Sequence, residues 1–446
     1  MKTPICDFIE KYAQTDNVRL HMPGHKGVGN HNERLDITEI TGADSLYEAS
    51  GIIAESEKNA SALFDAHTFY SAEGSSLSIR AMLYLCTAYA KEIGRKPLIL
   101  AARNVHKTFV SAAAMLDLDV EWMTSASADY LSVRLSAEDV RGYLDRLTEP
   151  PVAVYLTSPD YLGNIADVES IAKVCHERGV LLVVDNAHGA YLRFTKRQMH
   201  PIALGADMCC DSAHKTLPAL TGAAYMHISK SAPELLTLRA RTALSLFGST
   251  SPSYLILSSL DRVNAYIADG YSDRLANLIG SIEEMKKELS ESGYTFVGDE
   301  PMKITISAKP YGYLGKDMAA HLEKSGITTE FSDPDYLVLM PTPENSIDEL
   351  DRLKSALLSL PKLSPIIDPP PSFKLPKRAL SIREAVLSPC ESVSIDNAKG
   401  RPLAAVTVGC PPAVPILVCG EIIDSAAIEC FKYYGIESCL VVKNND

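Results

Sequence analysis

From about residue 66 to 260, short apolar runs alternate with apolar positions at helical spacing. Pro97 to Ala102, Val152 to Thr157, Val180 to Val184 and Ala206 to Cys210 are too short for helices and end in polar residues, which predicts buried strands. Between them, Ile79, Met82, Leu83 and Cys86 recur at steps that share one helix face, as do Val168, Ile171, Ala172 and Cys175. Strands alternating with helices predict an α/β fold whose mostly parallel sheet is covered on both faces.

Other stretches read differently. Residues 1–60 are rich in turn signals, such as Pro23-Gly24-His25-Lys26-Gly27, and weak in periodicity, which predicts an N-terminal arm or cap. Residues 61–261 form the expected large domain. A smaller α/β domain is expected at 262–365, with strands at Lys303 to Ser307 and Tyr336 to Met340 and a closing helix from Ile347 to Leu358. The Pro-rich passage Pro361 to Pro376 suits a stiff connector. Residues 366–446 carry their own apolar segments, Ile416 to Val418 and Ser438 to Val442, and read as a C-terminal domain.

Composition narrows the classes. A chain of 446 residues, 46% apolar and 22% charged, buries enough surface to fold without disulfide or metal staples. Its net charge of −13, from 43 basic and 56 acidic residues, argues against a nucleic-acid binder. No apolar stretch reaches the roughly 18 residues a membrane span needs, and Asp7 and Glu10 interrupt any export signal. The ten cysteines include no C-x-x-C pair, so neither a disulfide framework nor a metal site is expected, and the reducing cytoplasm is the expected compartment.

In open parallel sheets ligands bind beyond the carboxyl ends of the strands. Those ends here are chemically loaded: Arg103-Asn104-Val105-His106-Lys107, Ser158-Pro159-Asp160-Tyr161, Asp185-Asn186-Ala187-His188-Gly189 and Asp211-Ser212-Ala213-His214-Lys215-Thr216. An Asp and a Lys at neighbouring strand ends suit pyridoxal phosphate, whose aldehyde needs an amine and whose ring nitrogen needs a carboxylate. Lys215 would form the Schiff base and Asp185 would pair with the pyridinium. Read alone, Lys215 also suits a solvent-facing cation and Asp185 a helix cap. Gly74, Ser75 and Ser76 open the helix through Ile79 and Met82 and offer a phosphate seat, although Ser75 also suits a plain N-cap. His106 is a candidate to lie on the pyridine face, or a satisfied structural residue. His214 is a candidate phosphate contact or proton carrier.

The strings His21-Met22-Pro23-Gly24-His25-Lys26-Gly27, Asp185-Asn186-Ala187-His188-Gly189-Ala190 and Ser212-Ala213-His214-Lys215-Thr216-Leu217-Pro218 resemble the bacterial ornithine/lysine/arginine decarboxylases, PLP-dependent enzymes of the aspartate-aminotransferase fold. Further matching passages are Asp36-Ile37-Thr38-Glu39-Ile40, Ser249-Thr250-Ser251-Pro252-Ser253-Tyr254 and Pro415-Ile416-Leu417-Val418-Cys419-Gly420-Glu421. The resemblance implies Lys215 as the Schiff-base lysine, Asp185 at the ring nitrogen and His106 stacked on the cofactor, with His188 as a further catalytic candidate. It also implies cofactor contacts from Gly74, Ser75, Ser76, Ala187, Ser212 and His214, and from Thr250 or Ser251 reaching a neighbouring subunit's site. Glu421 is the candidate to meet a cationic substrate side chain, with a surface helix-start carboxylate as the alternative.

The expected activity is decarboxylation of lysine, arginine or ornithine by a cytoplasmic homodimer, or a higher homo-oligomer, with its site at the subunit interface. The chain resembles a short form without the N-terminal wing. Asn186 stands where many relatives carry Glu, and Asp160 and Glu73 also depart from the pattern, which bears on substrate choice more than on cofactor use. The alternatives are an aminotransferase on the same fold and a catalytically silent cofactor-binding regulator of polyamine metabolism.

Overall fold

The computed structural model describes residues 1–125, 130–372, 374–406 and 413–443. In chain order the first strands are β1 (His67–Ser71), β2 (Leu98–Ala102), β3 (Asp119–Met123), β4 (Ala153–Thr157), β5 (Leu181–Asp185), β6 (Met208–Asp211) and β7 (Ala224–Ile228). Then come β8 (Thr295–Val297), β9 (Ile304–Ser307), β10 (Phe331–Ser332), β11 (Tyr336–Leu339), β12 (Cys390–Ser394) and β13 (Ser438–Val442). The predicted strands agree to within two residues, and the helix Ile347–Leu358 agrees at both ends. The fold is α/β with a mostly parallel central sheet, as the alternation predicts.

The chain forms two compact units. The first comprises residues 1–97, 150–155 and 168–274. In it, β5 and β6 run parallel, β7 is antiparallel to β6, and β1 is antiparallel to β7. Every residue of β5 and of β7 is buried, which fits their mostly apolar sequences, Asp185 and His227 excepted. The helix Gly74–Glu92 lays Leu77, Met82, Leu85 and Cys86 into the core and packs on β6 and β7. Its turn of entry is possible because Gly74 sits at φ +70, a left-handed conformation that a side chain disfavours.

Residues 1–60, expected to form an arm or cap, contain regular structure. They hold two helices, Pro4–Ala13 and Ile52–Phe64, which bury Ile5, Ile9, Ile53 and Phe64. Pro4 suits the first helical turn, where no N–H is needed. The orphan amides of Ile5 and Cys6 donate at 2.9 and 3.0 Å to the Asp261 carboxylate, 256 and 255 positions away. Such a cap is invisible in a local reading.

The second unit comprises residues 98–149, 156–167 and 275–446. Here β2 and β3 pair in parallel, and β8 to β11 form an antiparallel sheet in the order β10-β11-β9-β8. Ser346 and Glu349 cap the start of the helix Ile347–Leu358 reciprocally, satisfying two otherwise unpaired donors. Near the C-terminus β12 and β13 make an antiparallel ribbon over a core of Ile395, Leu403, Leu417, Ile423, Phe431 and Val441. The described part of the Pro-rich passage from 361 to 376 is neither helix nor strand. No helix among the described residues is long and apolar enough to cross a membrane.

Candidate active site

The first unit gathers most of the expected residues at the carboxyl ends of β5 and β6. Asp185 is the last residue of β5, and the one-turn helix Ala213–Thr216, just past β6, carries Lys215. Because the strands are parallel neighbours, the segments leaving their carboxyl ends emerge on the same side of the sheet. Lys215 Nζ lies 3.0 Å from Nε2 of the buried His188.

Asp185 is 2% exposed. Its Oδ1 accepts from the Ala187 N–H at 3.2 Å and from the Cys210 thiol at 3.6 Å, and the Tyr155 phenol faces it. Burial pushes the carboxyl above its ordinary range, and the Lys215 charge and these donors only partly offset that rise. The same burial, with the charge of Asp185, holds Cys210 and Tyr155 protonated as donors. A buried carboxylate in this state is stabilised by any cation delivered to it, which fits a protonated ring nitrogen.

The phosphate candidates meet as well. Ser212 Oγ donates to Ser75 Oγ at 2.8 Å, joining the loop after β6 to the start of the helix Gly74–Glu92. No side chain caps that helix start, and its first amide, the Gly74 N–H, donates to the Gly222 carbonyl at 2.7 Å. A Cβ on Gly74 would lie 4.0 Å from His214, whose Nδ1–H donates to the Ala223 carbonyl at 2.9 Å. Burial lowers the His214 pKa, and the neighbouring Lys215 lowers it further, so this imidazole favours its neutral form. Glu73 accepts the Ser249 N–H at 2.5 Å, which ties the exposed loop of Thr250 and Ser251 to the same helix start within one chain.

Two candidates belong to the second unit. His106 caps the helix Lys107–Leu116, its Nδ1 accepting from the Thr108 N–H at 3.2 Å and lying 2.9 Å from the Thr108 hydroxyl. Glu421, the candidate to meet a cationic substrate side chain, is internal. It is 2% exposed, accepts from Arg103 Nη2 at 2.9 Å and from the Val418 N–H at 2.7 Å, and is neither a surface residue nor a helix start. The Glu421 carboxylate is thus paired with a buried guanidinium of its own chain.

Sequence patterns did not reveal Tyr155 and Cys210 beside Asp185, nor a buried cluster on the opposite sheet face. There Asp211 accepts from Asn186 Nδ2 at 2.6 Å and from Nε2 of His200 and His227 at 3.0 and 3.1 Å. Register was the signal available. Asp185 is opposite Cys210, so by alternation Asn186 and Asp211 share the other face. His200, Cys209 and Asp211 also offer metal-type donor atoms within 4.8 Å of one another, but the Asp211 oxygen nearest them already accepts two imidazole N–H groups.

An acid and a lysine closing adjacent strands of an α/β sheet, above a serine-rich helix start, define the class of PLP enzymes with the aspartate-aminotransferase fold. The sequence profile of "Orn/Lys/Arg decarboxylase, major domain" matches residues 3–305, and the chain belongs to that family. An arginine decarboxylase of Halalkalibacterium halodurans is 29% identical over 95% of this chain and 92% of its own length. One from Bacillus subtilis is 28% identical over 96% and 92%. Among solved structures, the lysine decarboxylase LdcF of Francisella novicida superposes with a TM-score of 0.80 at 18% identity, covering 99% of this chain and 81% of that one.

Proposed function

We propose that the protein removes the α-carboxylate of a basic amino acid as carbon dioxide, with arginine the first substrate to test and pyridoxal 5′-phosphate as cofactor. The observation that carries this reading is the placement of Lys215 and Asp185 at the ends of β6 and β5 in a chain of this family. Arginine comes first because relatives of that name align along nearly the whole chain. A lysine decarboxylase of Pseudomonas aeruginosa aligns over only 58% of it, at 25% identity.

When bound, the cofactor supplies an aldehyde and an electron-withdrawing ring. Lys215 holds it covalently, and Asp185 keeps the ring nitrogen protonated. Ser75, Ser76 and Ser212 would hold its phosphate with neutral hydroxyl donors, with His214 beside them. His188, against Lys215 Nζ, accepts or returns the proton that the lysine exchanges with substrate, a contribution of roughly 10² to 10⁴ in rate. His106 is assigned to the ring face and Thr250 or Ser251 to a neighbouring protomer's site.

In this reading residues 61–261 bind the cofactor, 262–365 form the small domain and 366–446 the C-terminal domain. A second copy of the chain covers the arm, where Val18, Leu20 and Val28 are 81%, 89% and 78% exposed. A cytoplasmic location is supported by nine described cysteines that are all free thiols.

The test incubates holoprotein separately with arginine, lysine and ornithine, measuring carbon dioxide and the amine released. Agmatine from arginine is expected. A keto acid in place of carbon dioxide identifies an aminotransferase, and a bound cofactor with no turnover identifies a regulator.

A further inference from the structure

The cluster on the sheet face opposite Asp185 has no part in holding cofactor or substrate in the proposed reaction. Yet it joins the two strand ends that do. Asn186 directly succeeds Asp185 at the end of β5, and Asp211 ends β6 four residues before Lys215. The Asn186 amide donates to Asp211 Oδ1 at 2.6 Å, while His200 and His227 donate to Oδ2 at 3.0 and 3.1 Å. All four side chains are fully buried.

Each partner is itself fixed. His227 Nδ1 lies 2.9 Å from the Thr68 hydroxyl of β1, and the Asn186 backbone N–H donates to the Cys210 carbonyl at 3.0 Å. Gly189 presses on Asn186 so closely that a Cβ there would come within 2.1 Å of its Oδ1. That oxygen, and Nδ1 of His200, are buried without a hydrogen-bond partner. A core keeping unpaired acceptors in order to present an amide to a carboxylate favours position over stability, since apolar residues of similar volume would fill the space without loss.

We propose that the Asn186–Asp211 hydrogen bond is a clamp between the carboxyl ends of β5 and β6 that sets the spacing of Asp185 and Lys215, making Asn186 and Asp211 positioning residues for the cofactor. This deepens the proposed function and rests on its assignment of Asp185 and Lys215. The two imidazoles donate to Asp211 Oδ2 from the side away from the site, so Oδ1 stays available to the Asn186 amide. Breaking the bond lets the strand ends separate and misplaces acid and amine relative to each other. The effect falls on cofactor binding and turnover, and substrate affinity changes little.

The test is a double-mutant cycle on the full-length chain: Asn186→Asp, Asp211→Asn and the exchanged pair, which restores an amide–carboxylate bond in the reverse sense. Cofactor-free protein of each is titrated with pyridoxal phosphate, following the visible band of bound cofactor, and its melting temperature is measured. Each single variant is expected to weaken cofactor binding by about tenfold or more and to lower kcat, with KM nearly unchanged. The exchanged pair is expected to regain about tenfold relative to the product of the two single losses. Losses that simply multiply, or single variants that bind cofactor like the parent, overturn the clamp. Should Asp211→Asn not fold, Asn186→Ala gives the decision: a lower melting temperature with parental cofactor affinity also overturns it. If the parent protein shows no visible band, the assignment of Lys215 fails instead, and the cycle in melting temperature alone then decides the clamp, with additive shifts overturning it.

Discussion

Lys215 Nζ and His188 Nε2 stand 3.0 Å apart, although 27 positions separate them in the chain. The parallel pairing of β5 with β6 brings them together, each side chain rising from the segment just past its strand. In the proposed reaction an imidazole at hydrogen-bond distance from the amine would exchange a proton with it. His188→Ala is expected to lower kcat roughly 10²- to 10⁴-fold while cofactor still binds. Single-turnover measurements alongside the visible band check this, and an unchanged rate removes His188 from the reaction.

Asp185 lies in the core, and the role proposed for it is electrostatic. Asp185→Asn keeps the shape and the contact to the Ala187 N–H but removes the negative charge. Turnover is expected to fall by at least about 10²-fold, with the melting temperature of the cofactor-free protein unchanged or raised, because burial already disfavours the charge. A variant that melts far below the parent yet turns over normally when folded would contradict the role.

Acid should unfold the protein in a defined window. Burial holds His227 below its ordinary pKa of 6.5 despite the pull of Asp211, so the folded chain keeps this ring neutral where the unfolded chain protonates it. The stability due to this difference is fully present above 6.5 and is lost as pH falls from there toward the folded value. The slope for one fully buried group is at most about 1.4 kcal/mol per pH unit. His214, also depressed, acts in the same direction. Asp211, held well below its ordinary 3.8 because His200 and His227 outweigh its burial, adds a second loss at pH values below 3.8. Urea midpoints at about pH 7.5 and about pH 5.5 should differ, the lower pH being the less stable, and His227→Gln should narrow the gap. Equal midpoints in the parent protein would refute this.

Glu421→Ala leaves Arg103 charged in a place where both partners are almost fully buried. The expected loss is about 3 to 5 kcal/mol, seen as a lower urea midpoint. Replacing the pair together, Arg103→Met with Glu421→Leu, is expected to recover most of it, because the penalty comes from the lone charge. A Glu421→Ala protein of parental stability that loses only substrate affinity would return Glu421 to the substrate.

Strand ends were legible in the sequence because a strand buried on both faces is apolar until it stops, and the polar residues just beyond it are then conspicuous. That exposed Asp185, His188, Ser212 and Lys215 as a group. The helix Ile347–Leu358 was equally plain, since Ser346 and Glu349 mark its start within four residues. Contacts that depend on register were not. Cys210 meets Asp185, and Asp211 meets Asn186, only once β5 and β6 are aligned, and neither pair leaves a local trace. The helix Pro4–Ala13 lacks a side-chain cap from its own neighbourhood, its amides being satisfied by Asp261. The Glu421 ion pair was hidden for a related reason: its partner Arg103 is 318 positions away, so nothing nearby announced an internal contact.

Arg103 does more than neutralise one acid. Its guanidinium also donates to the carbonyls of Pro415 and Ile416, each at 3.1 Å, so a residue at the end of β2 grips the polypeptide again past position 400. The last part of the chain is therefore a working strut for the second unit. A shortened version ending before Pro415 would strand a guanidinium among apolar neighbours, and such a fragment should accumulate as insoluble material even with every residue of the first unit intact.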